Sequence, residues 1–173
     1  MSKPTAKELQ ISFYEANSQR YQITAPNIYL DWEFNEMDIC AVRKSGFIDE
    51  VEIKLSKSDF NADFKKTIKI DQGKADKSNQ YKGFFEIFKH DAIEHGICHC
   101  NRFSFLMPEE IVDKCDIPEY AGLYVYKTWS NGHSRIVESK SAPLLHRRKI
   151  TDDMKHSIGR KMAYRYWDLI RDR

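Results

Sequence analysis

The sequence predicts an α/β fold in which a central mixed β-sheet carries a β-hairpin and is flanked by α-helices. Two alternating runs, Met37 to Val42 and Phe47 to Leu55, are joined by a short glycine-containing connection, as in a hairpin. Capping residues precede several segments that have apolar residues at helical spacing. A chain of 173 residues can bury a core without disulfides, so we expect a single domain spanning residues 1–173.

Composition and charge narrow the class of protein. Hydrophobic residues make up 41% of the chain and charged residues 31%, and no apolar run has the length of a membrane-spanning helix. The N-terminus lacks the apolar region of a signal peptide, so the four cysteines are expected to be reduced thiols. We expect a cytoplasmic protein that does not bind membranes. Because the net charge is only +2, any affinity for nucleic acid must come from local basic clusters.

The N-terminal region is predicted to be a helix followed by extended chain. Thr5 precedes AKELQISFYEA, in which Leu9 and Phe13 lie one turn apart. The extended segment runs from Tyr21 to Leu30, and Pro26 within it favours an edge strand or a turn.

The hairpin is predicted to lead directly into a second helix. Ser56 stands three residues before Asp59, as in a capping box, and Phe60 and Phe64 recur at helical spacing. The polar, glycine-bearing stretch from Asp71 to Gly83 is predicted to be a loop.

The C-terminal half is predicted to contain a helix, three strands and a long terminal helix. These are a helix at Phe84 to His95, strands at Arg102 to Met107 and Ala121 to Tyr126, and a hairpin through Asn131-Gly132 to Arg135 to Val137. The last helix begins at Thr151-Asp152-Asp153 and has an apolar stripe of Met154, Ile158, Met162, Tyr166 and Leu169 or Ile170. The residues expected to pack in the interior include Phe84, Phe85, Phe88, Tyr164, Tyr166 and Trp167.

An acid and a base share one face of the second hairpin strand. The apolar residues of this strand alternate as in a half-buried strand, and they are Val51, Ile53 and Leu55. Glu52 and Lys54 therefore share the opposite face.

The turn length predicts which residues of the hairpin face each other. A turn centred on Ser45 pairs Val42 with Ile48, Cys40 with Glu50, and Asp38 with Glu52. Opposed residues have Cβ atoms about 4.5–5.5 Å apart, so the carboxylates of Asp38 and Glu52 would repel each other. A divalent cation removes this repulsion, and Mg²⁺ or Mn²⁺ accepts such hard oxygen ligands.

Lys54 completes a constellation that is suited to phosphodiester hydrolysis. It lies two residues beyond Glu52, about 6.5–7 Å along the strand, and can reach a group bound to the metal. A metal ion activates water and neutralises phosphate charge, while an ammonium group stabilises the developing negative charge. The backbone carbonyl of Ile53 is a further candidate ligand. The alternative is that Asp38, Glu52 and Lys54 form an ordinary salt bridge on the protein surface.

These residues resemble a known family. Asp38 followed by Glu52-x-Lys54 on the second hairpin arm resembles the PD-(D/E)xK nuclease superfamily. The longer series APNIYLDWEFNEMD, RKSGF, EIKLSKSDFNADFKK, RFSFLMPEE and IPEYAGLYVY is similar to the MmcB-like DNA-repair nucleases and their phage-encoded relatives, over most of Tyr21 to Tyr126. In the family's first motif a proline often precedes the acid, where this chain has Met37.

The resemblance implies a restriction-endonuclease-like core and Mg²⁺- or Mn²⁺-dependent cleavage of DNA. The implied activity is that of an endonuclease in DNA repair or phage DNA metabolism. Asp38 and Glu52 would be metal ligands, and Lys54 would be the catalytic ammonium. Superfamily members often add a glutamate from the first helix, for which Glu8 and Glu15 are open candidates, and Glu36 is a further candidate ligand.

Further residues are candidates for binding DNA or a second metal. The DNA-contact candidates are Lys57, Lys65, Lys66, Arg147, Arg148 and Lys149, although a solvated surface explains the same residues. The zinc candidates are His90, His95, Cys98, His99, Cys100 and Cys115, but zinc is the less favoured cofactor because Cys98 and Cys100 are separated by a single residue. Two other functions stay open: a catalytically inactive nucleic-acid-binding or anti-defence accessory protein of nuclease fold, and a zinc-stabilised interaction module.

Overall fold

The structure is a computed structural model that describes residues 3–30, 36–71, 84–129 and 133–172. The strands are β1 (Tyr21–Ile28), β2 (Met37–Arg43), β3 (Ile48–Ile53), β4 (Thr67–Asp71), β5 (Phe84–Phe88), β6 (Arg102–Pro108), β7 (Ala121–Thr128) and β8 (Ser134–Lys140). The helices are α1 (Ala6–Asn17), α2 (Lys57–Asp63), α3 (Lys89–Glu94), α4 (Glu109–Val112) and α5 (Asp152–Arg171). Within the described ranges, no helix has the length and apolar character needed to cross a membrane.

Six strands form a central mixed sheet in the order β1-β2-β3-β6-β7-β8. The neighbours β3 and β6, and β6 and β7, run parallel, whereas the other neighbouring strands run antiparallel. The strands β4 and β5 form a separate antiparallel pair. The predicted α/β fold with a central mixed sheet, a hairpin and flanking helices is therefore confirmed.

The predicted hairpin register is also confirmed over its central part. Val42 pairs with Ile48 and Cys40 pairs with Glu50 in the β2–β3 ladder. The turn contains Gly46 at a φ of 83°, a left-handed conformation that glycine adopts without a steric penalty. Because side chains alternate along a strand, this register places Asp38 and Glu52 on the same face of the sheet.

Each face of the sheet is covered by helices, and β3 is buried along its whole length. Leu9 and Phe13 of α1 pack with Val51 and Ile53 on one face. On the other face α2, α3 and α5 contribute Phe60, Ile93 and Ile158 to a second cluster of buried side chains. The prediction that β3 is half-buried is therefore wrong, because this strand lies between β2 and β6 with packing on both sides.

Three capped helix starts agree with the sequence. Thr5 and Glu8 form a capping box at the start of α1. Ser56 accepts a hydrogen bond from the backbone N–H of Asp59, and Thr151 accepts one from Met154. The edge position of β1, with Pro26 inside it, is confirmed as well.

The segment from Phe84 to His95 departs from the prediction. Its first five residues form β5, and the helix α3 covers Lys89–Glu94 alone. Phe85 and Phe88 are 39% and 51% exposed, so the prediction that they fill the core is wrong. The sequence FFEIF consists mainly of residues that favour strands, and pairing with β4 outweighs the helical spacing.

Two predicted loops fall largely outside the described residues. Asp71 ends β4, and residues 72–83 of the predicted loop are not described. The predicted turn at Asn131-Gly132 is not described either, but β7 and β8 pair antiparallel as a hairpin through it requires.

Candidate functional site

Asp38 and Glu52 lie at the same end of the sheet, because β2 begins where its antiparallel neighbour β3 ends. The backbone N–H of Ile53 donates a hydrogen bond to Oδ2 of Asp38 at 2.8 Å. This contact ties the start of β2 to the end of β3 and holds the Asp38 carboxylate against the second strand.

Glu52 and Lys54 interact directly and are almost completely buried. The Nζ atom of Lys54 donates to Oε1 of Glu52 at 2.9 Å. Glu52 is 2% exposed and Lys54 is 1% exposed. The alternative of a salt bridge on the protein surface is therefore wrong, since neither side chain reaches solvent.

Asp63, at the end of α2, is a second partner of Lys54. Its Oδ1 atom accepts from Lys54 at 2.9 Å and from Lys66 at 2.6 Å. Lys66 also reaches Oε1 of Glu52 at 3.1 Å. The helix α2 therefore brings an acid and a further ammonium group onto the face that carries Glu52.

Lys89, the first residue of α3, lies among the acidic groups. Its Nζ atom is 2.9 Å from Oε2 of Glu52, 3.3 Å from Oε1 of Glu50 and 3.9 Å from Oδ2 of Asp63. We name the ionic cluster the set of three acids and three lysines consisting of Glu50, Glu52, Asp63, Lys54, Lys66 and Lys89. Their formal charges cancel, which compensates for the burial of five of them, whereas the side chain of Lys66 is 45% exposed.

A hydrogen-bonded chain leads from the ionic cluster toward the surface. The Nε2 atom of His90 lies 2.8 Å from Oδ2 of Asp63, and its Nδ1 atom lies 2.8 Å from the hydroxyl of Tyr120. Because a carboxylate only accepts, Nε2 is assigned the hydrogen and Nδ1 accepts from Tyr120. The ring of His90 stacks on Phe64 with centroids 4.1 Å apart. His90 is thus fixed as a support for Asp63.

The pKa values of Asp38 and Glu52 are shifted in opposite directions. Burial, together with the negative charge of Glu52, raises the pKa of Asp38 to about 6. Burial also acts to raise the pKa of Glu52, but the positive charges of Lys89 and Lys54 outweigh it and the pKa lies below its usual value. Burial opposes the charge on Lys89, yet the carboxylates of Glu50 and Glu52 raise the pKa of this lysine.

The donor set suits a metal ion that is shared with a substrate. Within the described part of the chain, no three His, Cys, Asp or Glu side chains are grouped so that they could hold a metal ion by themselves. Asp38 and Glu52 offer two carboxylates, and Mg²⁺ commonly takes one or two from the protein while water and phosphate complete its shell. Asp38 and Glu52 would therefore hold Mg²⁺ or Mn²⁺ together with a phosphate group only in exchange for the ammonium groups of three lysines that now bond both oxygens of Glu52, namely Lys54, Lys66 and Lys89. The Ile53 carbonyl stays a predicted ligand.

Of the three glutamates considered as additional ligands, Glu8 and Glu15 belong to α1, whereas Glu36 lies two residues before Asp38. Glu8 is engaged in the capping box, with Oε2 2.6 Å from the backbone nitrogen of Thr5. Glu15 is exposed on α1, which packs on the opposite face of the sheet. Glu36 faces Arg165 at 3.9 Å. The additional acids that the structure brings to the site are instead Glu50 and Asp63.

Neither Glu50 nor Asp63 was among the predicted site residues. Glu50 could have been predicted from the sequence, because it lies two residues before Glu52 and so shares its face of the strand. No sequence pattern of comparable strength places Asp63 and Lys89 at the site, since their proximity to Glu52 depends on how α2 and α3 pack on the sheet.

The zinc candidates find no common site among the described residues. Cys98 and Cys100 are buried, and burial raises the pKa of the Cys98 thiol to about 12 and that of Cys100 well above its usual value. Both thiols are therefore protonated in the protein without a metal ion, and no three metal-binding side chains of the described residues are grouped around them. His90 is engaged by Asp63, and His95 bonds the carbonyl of Asp91.

The basic candidates for DNA contacts fall into three groups. Lys66 belongs to the ionic cluster, and Lys57 and Lys65 are exposed on or just after α2. Arg148 directs its guanidinium to the carbonyls of Gly96 at 2.5 Å and Cys98 at 3.0 Å, so its charge stabilises a loop. Arg147 and Lys149 are exposed and stay candidates.

Comparisons with known proteins show the fold and no function. No protein-family model and no curated protein match the chain. A solved structure of a protein of unknown function from Silicibacter pomeroyi is similar to it, with a TM-score of 0.61 and 15% sequence identity over 99% of this chain and 94% of that chain. At this identity the similarity supports the mixed α/β fold alone.

Proposed function

We propose that this protein is a metal-dependent DNA nuclease, an endonuclease that hydrolyses phosphodiester bonds in DNA repair or phage DNA metabolism. Its core would be restriction-endonuclease-like, as the resemblance to the PD-(D/E)xK superfamily implies. The observation that carries the proposal is the joint placement of Asp38, Glu52 and Lys54 on one face at one end of the sheet. Ile53 bonds the carboxylate of Asp38, and Lys54 bonds that of Glu52.

Each of the three residues has a role that its surroundings support. When bound, Mg²⁺ or Mn²⁺ would supply an activated water and neutralise charge on the phosphate. Asp38 and Glu52 hold carboxylate oxygens for the ion, and Lys54 presents an ammonium group next to them. Asp63 fixes the direction of Lys54, and His90 in turn fixes Asp63. A positioned ammonium of this kind stabilises a developing oxyanion without reorganisation.

The charge on Asp38 argues for a cation partner. The carboxylate is partly buried beside Glu52, and its pKa of about 6 means that ionisation is less favourable in the protein than in water. A group whose charge lowers stability is typical of a functional site. A divalent cation between the two carboxylates would reverse this effect.

A second function is favoured by the position of Lys89. Both oxygens of Glu52 already accept from ammonium groups, Oε1 from Lys54 and Lys66 and Oε2 from Lys89. If Lys89 permanently takes the place of a metal ion, the protein binds nucleic acid without cleaving it. It would then be an accessory or anti-defence protein of nuclease fold.

Incubation with plasmid, single-stranded and branched DNA in Mg²⁺, Mn²⁺ or EDTA tests the proposal. We expect cleavage with metal and none in EDTA, and a loss of about 10²- to 10³-fold in the Lys54→Ala variant. Lys114→Ala, an exposed lysine after α4, is the matched control and should cleave normally. Asp38→Asn, at a less buried position, should fold and lose metal-dependent cleavage.

Two results would contradict the proposal that the protein is a metal-dependent nuclease. One is cleavage that persists in EDTA or in both the Lys54→Ala and Asp38→Asn variants. The other is DNA retardation in gels by wild type and variants alike with no cleavage under any metal condition, which would favour the accessory protein.

A further inference from the structure

The C-terminal half of α5 exposes three aromatic side chains. Tyr164, Tyr166 and Trp167 are 63%, 61% and 65% exposed, and we name them the aromatic surface. Of the α5 residues, all of which the structure describes, Ile158 alone is buried. The prediction that these aromatic residues pack in the interior is therefore wrong. Neighbouring aromatic side chains that are exposed to solvent often form a binding site for a ligand or another macromolecule.

The rings of the aromatic surface are open to a planar ligand. Tyr166 and Trp167 meet edge to face, with centroids 6.0 Å apart and an interplanar angle of 64°, so the edge of one ring contacts a single face of the other and the remaining ring faces are not covered by this pair. Consecutive helical residues point about 100° apart, which spreads the aromatic groups around the outer side of α5. A base could therefore stack on either ring without displacing a protein group.

The segment that carries the aromatic surface is basic. The helix α5 contains five Lys or Arg residues and three Asp residues, so its formal charge is +2, the same as that of the whole chain. Lys155 and Arg171 are paired with aspartates of the helix, so the positive charge that faces solvent comes from the basic residues between them. Two copies of such a segment repel each other, whereas a polyanion is attracted to it. Charge therefore favours nucleic acid over a second copy of the chain as the occupant.

The aromatic surface lies on the side of the molecule that carries the proposed active site. Ile158 belongs to the buried cluster on the Glu52 face of the sheet. Arg165 donates to the carbonyl of Pro26 at 2.5 Å and approaches Glu36 at 3.9 Å. Pro26 pairs with the residue after Asp38 in the β1–β2 ladder. The C-terminal half of α5 is thus anchored next to Asp38.

We propose that the aromatic surface binds single-stranded DNA by stacking of bases on Trp167 and Tyr166. Stacking is independent of base identity because every base has a π-face, and basic residues interleaved with aromatic ones supply the attraction for the backbone. This inference rests on the proposed function, because it names an unpaired strand as the form of DNA that the site at Asp38 and Glu52 receives.

Binding of labelled oligodeoxythymidylate, measured by fluorescence anisotropy in EDTA, tests the inference without requiring cleavage. We expect Trp167→Ala and Tyr166→Ala each to weaken binding about 5- to 100-fold. Trp167→Phe, which keeps a stacking ring, should retain most of the affinity. The matched control is Tyr14→Ala, an exposed tyrosine of α1 on the opposite face of the sheet, which should bind as wild type does.

The outcomes separate this inference from the proposed nuclease. Weaker binding in the Trp167 and Tyr166 variants supports the aromatic surface even if no cleavage is ever seen. Unchanged affinity in both variants overturns it even if metal-dependent cleavage is found. Analytical ultracentrifugation of the same proteins measures their oligomeric state. If wild type is a dimer, and Trp167→Ala is a monomer with unchanged DNA affinity, the aromatic surface joins two copies of the chain and the inference is wrong. Circular dichroism verifies that each variant is folded.

Discussion

Lys54 and Asp63 are joined by a hydrogen bond of 2.9 Å although they come from a strand and from the end of the following helix. Asp63 is completely withdrawn from solvent, and it also accepts from Lys66 and bonds His90. One carboxylate therefore organises two ammonium groups and an imidazole. Burial opposes ionisation of Asp63, but the hydrogen bond from His90 and the charge of Lys89 hold its pKa well below the usual range.

Asp63→Asn is expected to destabilise the protein strongly. The substitution leaves the single carboxylate of Glu52 to balance both Lys54 and Lys66, and breaking a buried ion pair such as Lys54–Asp63 costs about 3–5 kcal/mol. Urea unfolding should show a loss of that order in the free energy of unfolding. Asp113→Asn, at an exposed aspartate, is the control and should change stability by less than about 0.5 kcal/mol. Equal stability of the two variants would contradict the role given to Asp63.

The raised pKa of Asp38 predicts a pH-dependent effect of Asp38→Asn. The pKa of this carboxyl is about 6 in the protein against 3.8 when unfolded, so the folded state binds the proton more tightly. Its contribution to stability therefore falls as pH rises between these values, and the full penalty is present above about pH 6. Asparagine imitates the protonated acid and can still accept from Ile53.

Asp38→Asn should accordingly be more stable than wild type by about 1–3 kcal/mol near pH 8 and equal to it near pH 4. Chemical unfolding at the two pH values measures the difference. Asp116→Asn, at an exposed position, should show no such change. A gain that is the same at both pH values would exclude the charge of Asp38 as its cause.

Lys89→Met tests whether this lysine and a metal ion compete for the same acids. Removal of the ammonium leaves Glu50 without its ion-pair partner and Oε2 of Glu52 without its donor, so we expect a loss of about 3–5 kcal/mol in the absence of metal. Mn²⁺ or Mg²⁺ should restore more stability to the variant than to wild type, because binding to the folded state adds to its stability. Thermal unfolding with and without metal measures both effects.

The control for Lys89→Met is Lys114→Met, which replaces an exposed lysine. It should unfold like wild type in every condition. If Mn²⁺ shifts the melting temperature of Lys89→Met and wild type by the same amount, Lys89 does not occupy the place of a cation.

The hairpin and its register could be predicted because both are local. Alternation of apolar residues identified the strands, and the short turn with Gly46 determined which residues face each other. The same local reasoning located the helix caps at Thr5, Ser56 and Thr151. These features depend on residues that are close in the chain.

The ionic cluster could not be predicted because it depends on distant contacts. Glu52 and Lys89 are 37 residues apart, and their approach requires α3 to pack against the sheet next to β3. The burial of both faces of β3 also depends on distant contacts. The charged residues of this strand, taken alone, predict that one of its faces is exposed to solvent. The pairing of β5 with β4 likewise overrides a pattern that within Phe84–Phe88 resembles the start of a helix.

Two glycines are predicted to respond oppositely to alanine. At Gly122 in β7, a Cβ atom would lie 2.6 Å from Oγ of Ser104 and 2.7 Å from the backbone nitrogen of Ala142. The backbone of residue 142 cannot rotate away as a side chain would, so Gly122→Ala should cost about 1–3 kcal/mol. At Gly159 in α5, no described atom outside the helix's own backbone lies within 4 Å of the new Cβ.

Gly159→Ala should therefore stabilise the protein by about 0.5–1 kcal/mol, because alanine loses less backbone entropy in a helix. Urea unfolding of the two variants beside wild type measures both effects, and each variant serves as the chemical control for the other. A loss of stability in Gly159→Ala would mean that α5 packs against something at this position. That result would place a partner on the outer side of the helix, near the surface to which we assign DNA binding.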